Sequence, residues 1–267
     1  MAFQAAELYR VRMRSDIVVV SLLEPAAPAT QLTYWPVGQG DEIMLPYTPI
    51  AVAECMLERL DAAAAANGVA TLAIPGGRSP GPVLTELARI CSAFVRQRLH
   101  LFWVDERAVP VGHADRNDAA TLSAWEQGGP LPAFVHPMPA EHDDLDAAAE
   151  QYAAEVTTVL QGRPLDVVFL GYGEDGHIAS LFPHHHGLDE LGVAFPVVDS
   201  PKPPSRRLSL TLPVINEATC KIALALGAEK GAVAARARTG PDRAFPISLL
   251  GELIWFADDA AISAVND

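Results

Sequence analysis

Short apolar runs alternate with longer, alanine-rich segments along most of the chain. Five runs, at 69–74, 99–104, 165–170, 220–226 and 253–257, have the length and composition of β-strands. Those without tryptophan are almost continuously hydrophobic, which is typical of strands buried on both faces of a parallel sheet. Helical segments are predicted between them, at about 49–66, 80–91, 143–161 and 228–237. The alternation predicts a layered α/β sandwich with a mostly parallel sheet, in a single domain over 1–267.

Two regions depart from this alternation. Between 189 and 215, short strand-like pieces flank the proline-rich "SPKPPS", which indicates an antiparallel insertion or a sheet edge. Near the start, the apolar run "IVVVSLL" lies between Asp16 and Glu24 and is at the lower limit for a signal sequence. We therefore expect residues 1–30 to form an N-terminal extension or an edge strand.

The chain is acidic, with 33 aspartates and glutamates against 19 lysines and arginines and a formal net charge of −14. Nucleic acids and anionic membranes bind basic surfaces, so neither is an expected partner. The three cysteines, Cys55, Cys91 and Cys220, are far apart and form no C-x-x-C motif. We expect reduced, buried thiols in a cytoplasmic protein.

Polar and glycine-rich segments follow four of the predicted strands: "PGGRSP" from 75, "DERAVP" from 105, "GYGEDGH" from 171 and "GAEK" from 227. Ligands of parallel sheets bind beyond the carboxyl ends of the strands. We therefore expect these four segments to meet at one edge of the sheet and to form the functional site.

The first segment has the features of an anion site. Gly76 and Gly77 permit a tight turn and a close backbone approach to a ligand. With Ser79 as N-cap and Pro80 in the first turn, a helix should begin here, and its free N–H groups and Arg78 would hold a phosphate. An ordinary capped turn fits the same residues, and the G-K-[ST] of a nucleotide P-loop is missing.

The second segment places Asp105, Glu106 and Arg107 directly after a buried strand. These side chains would either line the site or form an ion pair that fixes the loop. Asn117 and Asp118 precede a helix and would serve at least as its caps. The sequence leaves both interpretations of the segment open.

The third segment contains G-x-G-x-x-G, the spacing of a dinucleotide-binding loop. The helix that should follow is interrupted at Pro183, and the acidic residues at 174–175 would repel a pyrophosphate, so no dinucleotide is expected. Asp175 and His177 instead form a candidate acid–base pair, with a structural histidine as the alternative. The glycines would let backbone N–H groups face a developing oxyanion. The histidine tract at 184–186 is not expected to bind a metal, because adjacent histidines point in different directions.

Several cations stand out in so acidic a chain. Lys202, Arg206 and Arg207 cluster around a stiff proline-rich loop, and Lys230 lies in the first turn of a predicted helix, where the macrodipole disfavours a cation. A bound anion would explain Lys230, and a surface lysine is the alternative. No serine or cysteine nucleophile motif occurs in these segments. The combination predicts hydrolysis of a phosphorylated small molecule by an activated water.

Six segments resemble, in order and over roughly 69 to 262, motifs of the 6-phosphogluconolactonase family, within the glucosamine-6-phosphate deaminase-like superfamily: "PGGRSP", "FWVDERAVP", "LGYGEDGHIASLFP", "SPKPPSRRLSLTL", "ALGAEKGAV" and "IWFADDAA". The most specific is "GEDGHIASLFP", because the deaminase branch usually continues the Asp-Gly-His core with Ala-Phe-Asn-Glu-Pro. The resemblance favours the lactonase branch.

The resemblance implies a Rossmann-like three-layer α/β/α sandwich of the NagB/RpiA-like type. It implies a cytoplasmic enzyme that hydrolyses 6-phosphoglucono-1,5-lactone to 6-phosphogluconate in the pentose phosphate pathway. No cofactor or metal is implied. The expected partner is the sugar-phosphate lactone, and the expected assembly is a monomer or small homo-oligomer.

By motif position, the resemblance implies that His177 is the general base for the attacking water and that Asp175 is its supporting carboxylate. It also implies a phosphate site and a sugar pocket. The phosphate site would comprise Gly77, Arg78, Ser79, Arg207 and Lys230, and the sugar pocket Asp105, Arg107, Asn117 and Lys202.

Two positions depart from the family pattern. The family often has Asp-Ser-Asn where this chain has Asp115-Arg116-Asn117, so Arg116 would add a cation or face solvent. Arg206 and Arg207 compete for a single arginine of the motif, and the spacing from the prolines favours Arg207.

Two alternative functions stay open. One is an isomerase or deaminase of amino-sugar phosphates, which "ASLFP" disfavours, and the other is a sugar-phosphate sensor, which would have no need of His177.

Overall fold

A computed structural model of the protein describes residues 9–14, 17–22 and 43–266. Its strands are β1 (Tyr9–Arg14), β2 (Ile17–Leu22), β3 (Ile43–Pro46), β4 (Ala70–Ile74), β5 (Leu99–Trp103), β6 (Asp105–Arg107), β7 (Phe134–His136), β8 (Val167–Leu170), β9 (Ala194–Val197), β10 (Arg207–Leu210), β11 (Cys220–Ala225) and β12 (Ile254–Ala257). Its α-helices are α1 (Pro49–Asn67), α2 (Pro80–Ile90), α3 (Ala93–Arg96), α4 (Asn117–Gly128), α5 (Leu145–Leu160), α6 (Leu212–Glu217), α7 (Ala228–Ala237) and α8 (Asp259–Asn266). None of the described helices combines the length and the apolar character of a membrane-spanning segment.

The described residues fall into two units, the hairpin β1–β2 and residues 43–266. In the hairpin the strands pair antiparallel, from Tyr9 opposite Leu22 to Arg14 opposite Ile17. The rest of the predicted extension at 1–30 lies outside the described residues. The single domain, the extension or edge strand and the absence of a signal sequence therefore stay predictions.

In the larger unit, a seven-stranded sheet has the order β3-β12-β11-β8-β4-β5-β7, and every neighbouring pair is parallel. The central strands β4, β8 and β11 are buried along their whole length, as their continuous apolar sequences predict. Helix α1 packs on β4 and β8, α7 on β11 and α8 on β12. The predicted α/β sandwich with a mostly parallel sheet is confirmed.

The long elements begin and end close to their predicted bounds because side chains define them locally. Helix α1 follows Thr48, whose hydroxyl accepts the N–H of Ala51 at 3.1 Å, and α5 follows Asp144, whose carboxylate accepts that of Ala147 at 3.0 Å. The short strands β3, β6 and β7 were not predicted, since runs of three or four residues carry no readable period.

A second sheet of three antiparallel strands has the order β6-β10-β9. Strands β9 and β10 lie in the predicted antiparallel insertion at 189–215, which is confirmed. Strand β6, which pairs with β10, is the "DER" segment after β5. The register places Arg207 opposite Arg107 and Ser209 opposite Asp105. The small sheet therefore brings distant parts of the sequence to the carboxyl edge of the large sheet.

Candidate active site

The four segments predicted to meet at the carboxyl edge of the large sheet line one cleft of about 240 Å³. Strands β11, β8, β4 and β5 are consecutive in that sheet, so the loops that follow them are side by side. The lining residues include Gly77, Arg78, Ser79, Asp105, Arg107, Asn117, Tyr172, His177, Arg207 and Lys230. Of the predicted site residues, only Asp175 and Lys202 are not on the wall, and both contact His177.

The segment after β4 turns sharply against a side chain from another loop. Gly77 has a φ of +97°, a left-handed conformation that favours glycine. A Cβ on Gly76 would lie 1.7 Å from Oδ1 of Asn117, so only glycine leaves room for that amide. Ser79 occupies the N-cap position of α2, but its side chain makes no capping hydrogen bond, contrary to the prediction. Ser79 and Arg78 are instead exposed on the wall of the cleft.

Asp105 is buried and held from three directions. Its Oδ2 accepts a hydrogen bond from Oγ of Ser180 at 2.8 Å. Its backbone carbonyl accepts one from Nδ2 of Asn117 at 2.9 Å, and Nη1 of Arg207 lies 3.7 Å from its Oδ2. Sequence analysis missed Ser180, although it belongs to the specific "ASLFP" segment. These contacts fix a carboxylate at the cleft wall.

Arg107 makes no ion pair with the acids beside it in the described structure, so the predicted alternative of a loop-fixing pair is wrong. Its Nη1 donates to the carbonyl of Asp115 at 2.8 Å, and its buried Nε has no hydrogen-bond partner among the described residues. Arg116 also corrects an expectation. It is buried and lies 2.6 Å from Asp118 and 2.8 Å from Glu141, so it neither faces solvent nor adds a cation to the cleft.

His177, Asp175 and Lys202 form a compact charged group. Nδ1 of His177 lies 2.6 Å from Oδ1 of Asp175. Nζ of Lys202 lies 3.1 Å from Oδ2 of Asp175 and 3.2 Å from Nδ1 of His177. In the neutral tautomer that donates its Nδ1 proton to this carboxylate, Nε2 keeps its lone pair. This is the tautomer that a general base requires.

The pKa values in this group favour a neutral imidazole beside an ionised carboxylate. Burial lowers the pKa of His177; Asp175 raises it, and Lys202 lowers it again. Burial raises the pKa of Asp175, but the hydrogen bonds and charges of His177 and Lys202 outweigh burial and bring it to about 2. At neutral pH the histidine is therefore ready to accept a proton.

The glycines of the third segment make room for this histidine. A Cβ on Gly173 would lie 2.2 Å from Nδ1 of His177, and one on Gly176 would lie 2.6 Å from the ring of Phe245. The N–H groups of both glycines bond within the loop, to the carbonyls of His177 and Gly173 at 2.9 and 3.1 Å. Neither of these two N–H groups is therefore available to an oxyanion, and the expectation that backbone N–H groups of this loop face one stays a prediction.

Arg207 and Arg206 have different surroundings. Arg207 is buried on the cleft wall, and its Nε and Nη2 donate to the carbonyls of Pro204 and Lys202 at 3.0 and 2.9 Å. Arg206 is exposed and donates to the carbonyl of Asp143 at 2.6 Å. The cleft thus contains the arginine that the proline spacing favoured. Arg207 also fastens the loop that carries Lys202, which the sequence did not predict.

Lys230 is half-buried in the first turn of α7 and is clasped by Tyr172. Its Nζ donates to the carbonyl of Tyr172 and lies 4.7 Å from the ring centroid, and the Tyr172 hydroxyl donates to the carbonyl of Lys230 at 3.2 Å. Burial lowers the pKa of Lys230, while Glu174 raises it. Sequence analysis missed Tyr172, although its position directly after β8 was a usable signal.

Two residues of the histidine tract, His185 and His186, lie close to the same carboxylate, that of Asp199, outside the cleft lining. Nε2 of His185 and Nε2 of His186 lie 2.8 and 3.5 Å from Oδ1 of Asp199, so the prediction that adjacent histidines point apart is wrong here. The three ligand atoms are close enough for a metal ion. However, Nδ1 of His185 accepts the N–H of Gly187 at 3.0 Å, which leaves the ring proton on Nε2 and blocks that nitrogen as a ligand. The absence of a metal stays a prediction.

Comparison with known proteins agrees with this geometry. The family model for glucosamine-6-phosphate isomerases/6-phosphogluconolactonase matches residues 49–255, which contain every cleft residue named above. The chain is 35% identical over 218 residues to a protein of Synechocystis sp. named 6-phosphogluconolactonase, with 78% of this chain and 89% of the relative covered. It is 36% identical over 231 residues to a 6-phosphogluconolactonase of Streptomyces coelicolor, with 80% and 88% covered.

The fold is similar to that of a solved relative. The crystal structure of 6-phosphogluconolactonase from Thermotoga maritima superimposes with a TM-score of 0.71 at 24% identity, covering 81% of this chain and 98% of that one. This similarity shows the shared α/β fold.

Proposed function

Because the chain belongs to the family of glucosamine-6-phosphate isomerases and 6-phosphogluconolactonases, we propose that it hydrolyses 6-phosphoglucono-1,5-lactone to 6-phosphogluconate. The observation that carries the proposal is the state of His177. Its Nδ1 is 2.6 Å from the Asp175 carboxylate, it lines the cleft, and no hydrogen bond from the described residues engages its Nε2. A base in this state can activate a water against an ester carbonyl.

In the proposed reaction, Nε2 of His177 takes a proton as a water oxygen bonds to C1 of the lactone. The C1 carbonyl electrons move to its oxygen and form a tetrahedral oxyanion. When this intermediate collapses, the bond between C1 and the ring oxygen breaks, and the imidazolium returns its proton to that oxygen. The new carboxylic acid then ionises, so each turnover releases one proton. A general base contributes about 10²–10⁴-fold, which suits an activated ester such as a δ-lactone.

Asp175 and Lys202 support His177 in this scheme. Asp175 fixes the tautomer and stabilises the imidazolium that forms during the reaction. Lys202, 3.1 Å from the carboxylate, keeps Asp175 ionised and opposes early protonation of His177. Arg107 is the candidate donor to the oxyanion, because it lines the cleft and its guanidinium carries a permanent positive charge.

The phosphate of the substrate would bind where the cleft offers a helix N-terminus and cations. Helix α2 begins at the cleft with Pro80, Gly81 and Pro82, so Gly81 provides the first N–H group of the helix, and Arg78 and Lys230 line the same cleft. Arg207 supplies a further charge. The sugar hydroxyls would then contact Asp105, Arg107 and Asn117, which together form another part of the wall.

The reaction needs no organic cofactor, because water is the only co-reactant. We place it in the cytosol, since Cys55, Cys91 and Cys220 are all free and buried, as in a reducing compartment. Nucleic acid has no role in the proposal.

The test uses lactone made in situ by oxidising glucose 6-phosphate, with acid release followed continuously. Purified protein should accelerate acid release far above spontaneous hydrolysis. Glucosamine 6-phosphate serves as the comparison substrate, with ammonia as the readout. Ammonia release without lactone hydrolysis would identify a deaminase, and binding of 6-phosphogluconate without any turnover would identify a sensor; either result would overturn the proposal.

A further inference from the structure

Helix α4 begins without a capping side chain at its N-cap position. The N-cap residue, Arg116, makes no side-chain capping hydrogen bond. The first two N–H groups of the helix, those of Asn117 and Asp118, donate instead to the Glu106 carboxylate at 2.7 and 2.9 Å. Asn117 is therefore a capped residue and not the cap that the sequence suggested, whereas Asp118 is capped by Glu106 and itself accepts the N–H of Ala119 at 2.6 Å. A residue from the small sheet thus performs the capping role.

Glu106 is suited to this position by its surroundings. It is fully buried, and besides the two helix N–H groups it accepts the backbone N–H of Arg107 at 2.7 Å. Nε of Arg116 lies 3.8 Å from its Oε2. Burial raises the pKa of Glu106, and although the bonds from the N–H groups of Asn117, Arg107 and Asp118 lower it, the pKa stays at about 7. The helix N-terminus and the three N–H donors favour the ionised carboxylate.

The first residue of α4, Asn117, contacts two walls of the cleft, one formed by Asp105 and the other by the "PGGRSP" loop. Nδ2 of Asn117 donates to the carbonyl of Asp105 at 2.9 Å and lies 3.3 Å from its Oδ1. On the other side, Oδ1 of Asn117 occupies the space that a Cβ on Gly76 would need. A shift of the backbone at Asn117 would therefore displace both the phosphate-loop wall and the Asp105 wall.

We propose that Glu106 is a positioning residue for the sugar-phosphate site: it sets the start of α4, and through Asn117 it sets the distance between the "PGGRSP" loop and Asp105. Glu106 itself is not among the residues that line the cleft. The kinetic part of this inference rests on the proposed lactonase function, and the binding part does not.

The first variant is Glu106→Gln, which keeps the shape but replaces one accepting oxygen with an N–H₂ group that opposes a backbone donor. The variant loses a charge-assisted bond from the first N–H groups of α4, next to the cleft wall. KM for the lactone should therefore rise at least about tenfold, while kcat stays within about threefold. Calorimetric binding of 6-phosphogluconate should weaken by the same factor. The matched control is Glu141→Gln. It removes the negative charge of another carboxylate that pairs with Arg116, with Oε2 of Glu141 2.8 Å from Nη1 of Arg116, and leaves the helix N–H bonds intact.

The decisive measurement is a double-mutant cycle with Asn117→Ala. If Glu106 acts through Asn117, adding Glu106→Gln to that variant should change KM by less than about twofold. Additive effects would overturn the proposal, as would a folded Glu106→Gln protein with unchanged product affinity. If Glu106→Gln unfolds by circular dichroism, Glu106→Asp replaces it, because it keeps the charge but withdraws the carboxylate by one methylene. Absence of turnover in wild type would refute only the lactonase function. The same double-mutant cycle, measured by calorimetric binding of 6-phosphogluconate, would still test the role of Glu106.

Discussion

Replacing Lys230 with methionine should weaken recognition of the phosphate group and leave recognition of the sugar ring unchanged. Methionine retains an apolar stem that can pack on the Tyr172 ring, where Nζ now lies 4.7 Å from the centroid. The charge is lost. Only the bond to the Tyr172 carbonyl engages the ammonium among the described contacts, so two of its three donors remain for a phosphate.

The size of the effect follows from the half-buried position of Lys230. A hydrogen bond to a charged group contributes about 1.5–3 kcal/mol, which corresponds to a loss of about 10- to 150-fold in kcat/KM. Burial already lowers the pKa of Lys230, so the free cleft holds a partly desolvated cation that gains a partner on binding. Most of the loss should appear in KM, because phosphate binding precedes the chemical step.

The assay compares two substrates of one variant. For 6-phosphoglucono-1,5-lactone, acid release by Lys230→Met should show the full loss, whereas for unphosphorylated gluconolactone kcat/KM should change by less than about threefold. Equal losses on both substrates would refute the reasoning and remove Lys230 from the phosphate site. Thermal unfolding of the variant, followed in parallel, controls for a general effect on the fold.

Four further predictions concern the cleft and the groups next to it. Gly76→Ala introduces a Cβ 1.7 Å from the amide oxygen at the start of α4, so kcat/KM should fall at least about tenfold in lactone assays; an unchanged value would show that the loop adapts freely. In wild type, kcat should fall with decreasing pH only below the ordinary histidine pKa of 6.5, because burial lowers the pKa of His177 and imidazolium cannot accept a proton. Lys202→Met removes a charge that lowers this pKa, so the acid limb should move to higher pH, and a limb that stays in place or moves lower would contradict the assignment. Arg207→Ala should raise KM for the lactone, whereas Arg206→Ala, which alters an exposed contact to a backbone carbonyl, should not; the reverse order would reassign the arginine.

The sequence was sufficient for the five inner strands of the large sheet and for most of the residues that line the cleft, because both depend on local patterns. Continuous apolar runs identify buried parallel strands, and the polar residues directly after them identify the ligand edge. Asp175 and His177 are two residues apart, so their pairing needed only a tight loop. The choice between Arg206 and Arg207 also followed from a local feature, their spacing from the preceding prolines.

The remaining contacts depend on pairings that no local pattern encodes. Strand β6 has three residues, too few for a period, and its antiparallel pairing with β10 decides which arginines face each other. Glu106 was a candidate ion-pair partner of the adjacent Arg107, but its hydrogen bonds come from the backbone N–H of Arg107 and from N–H groups eleven and twelve positions away. Arg116 is buried only because three acids meet around it: Glu106, Asp118 and Glu141.

The central claim is that His177, oriented by Asp175, activates the water that opens the lactone. The most direct measurement is the single-turnover rate of acid release by wild type and by His177→Ala at saturating lactone. We predict a loss of about 10²–10⁴-fold in that rate, with 6-phosphogluconate affinity changed by less than about threefold. Equal rates for the two proteins, both above the spontaneous background, would contradict the account.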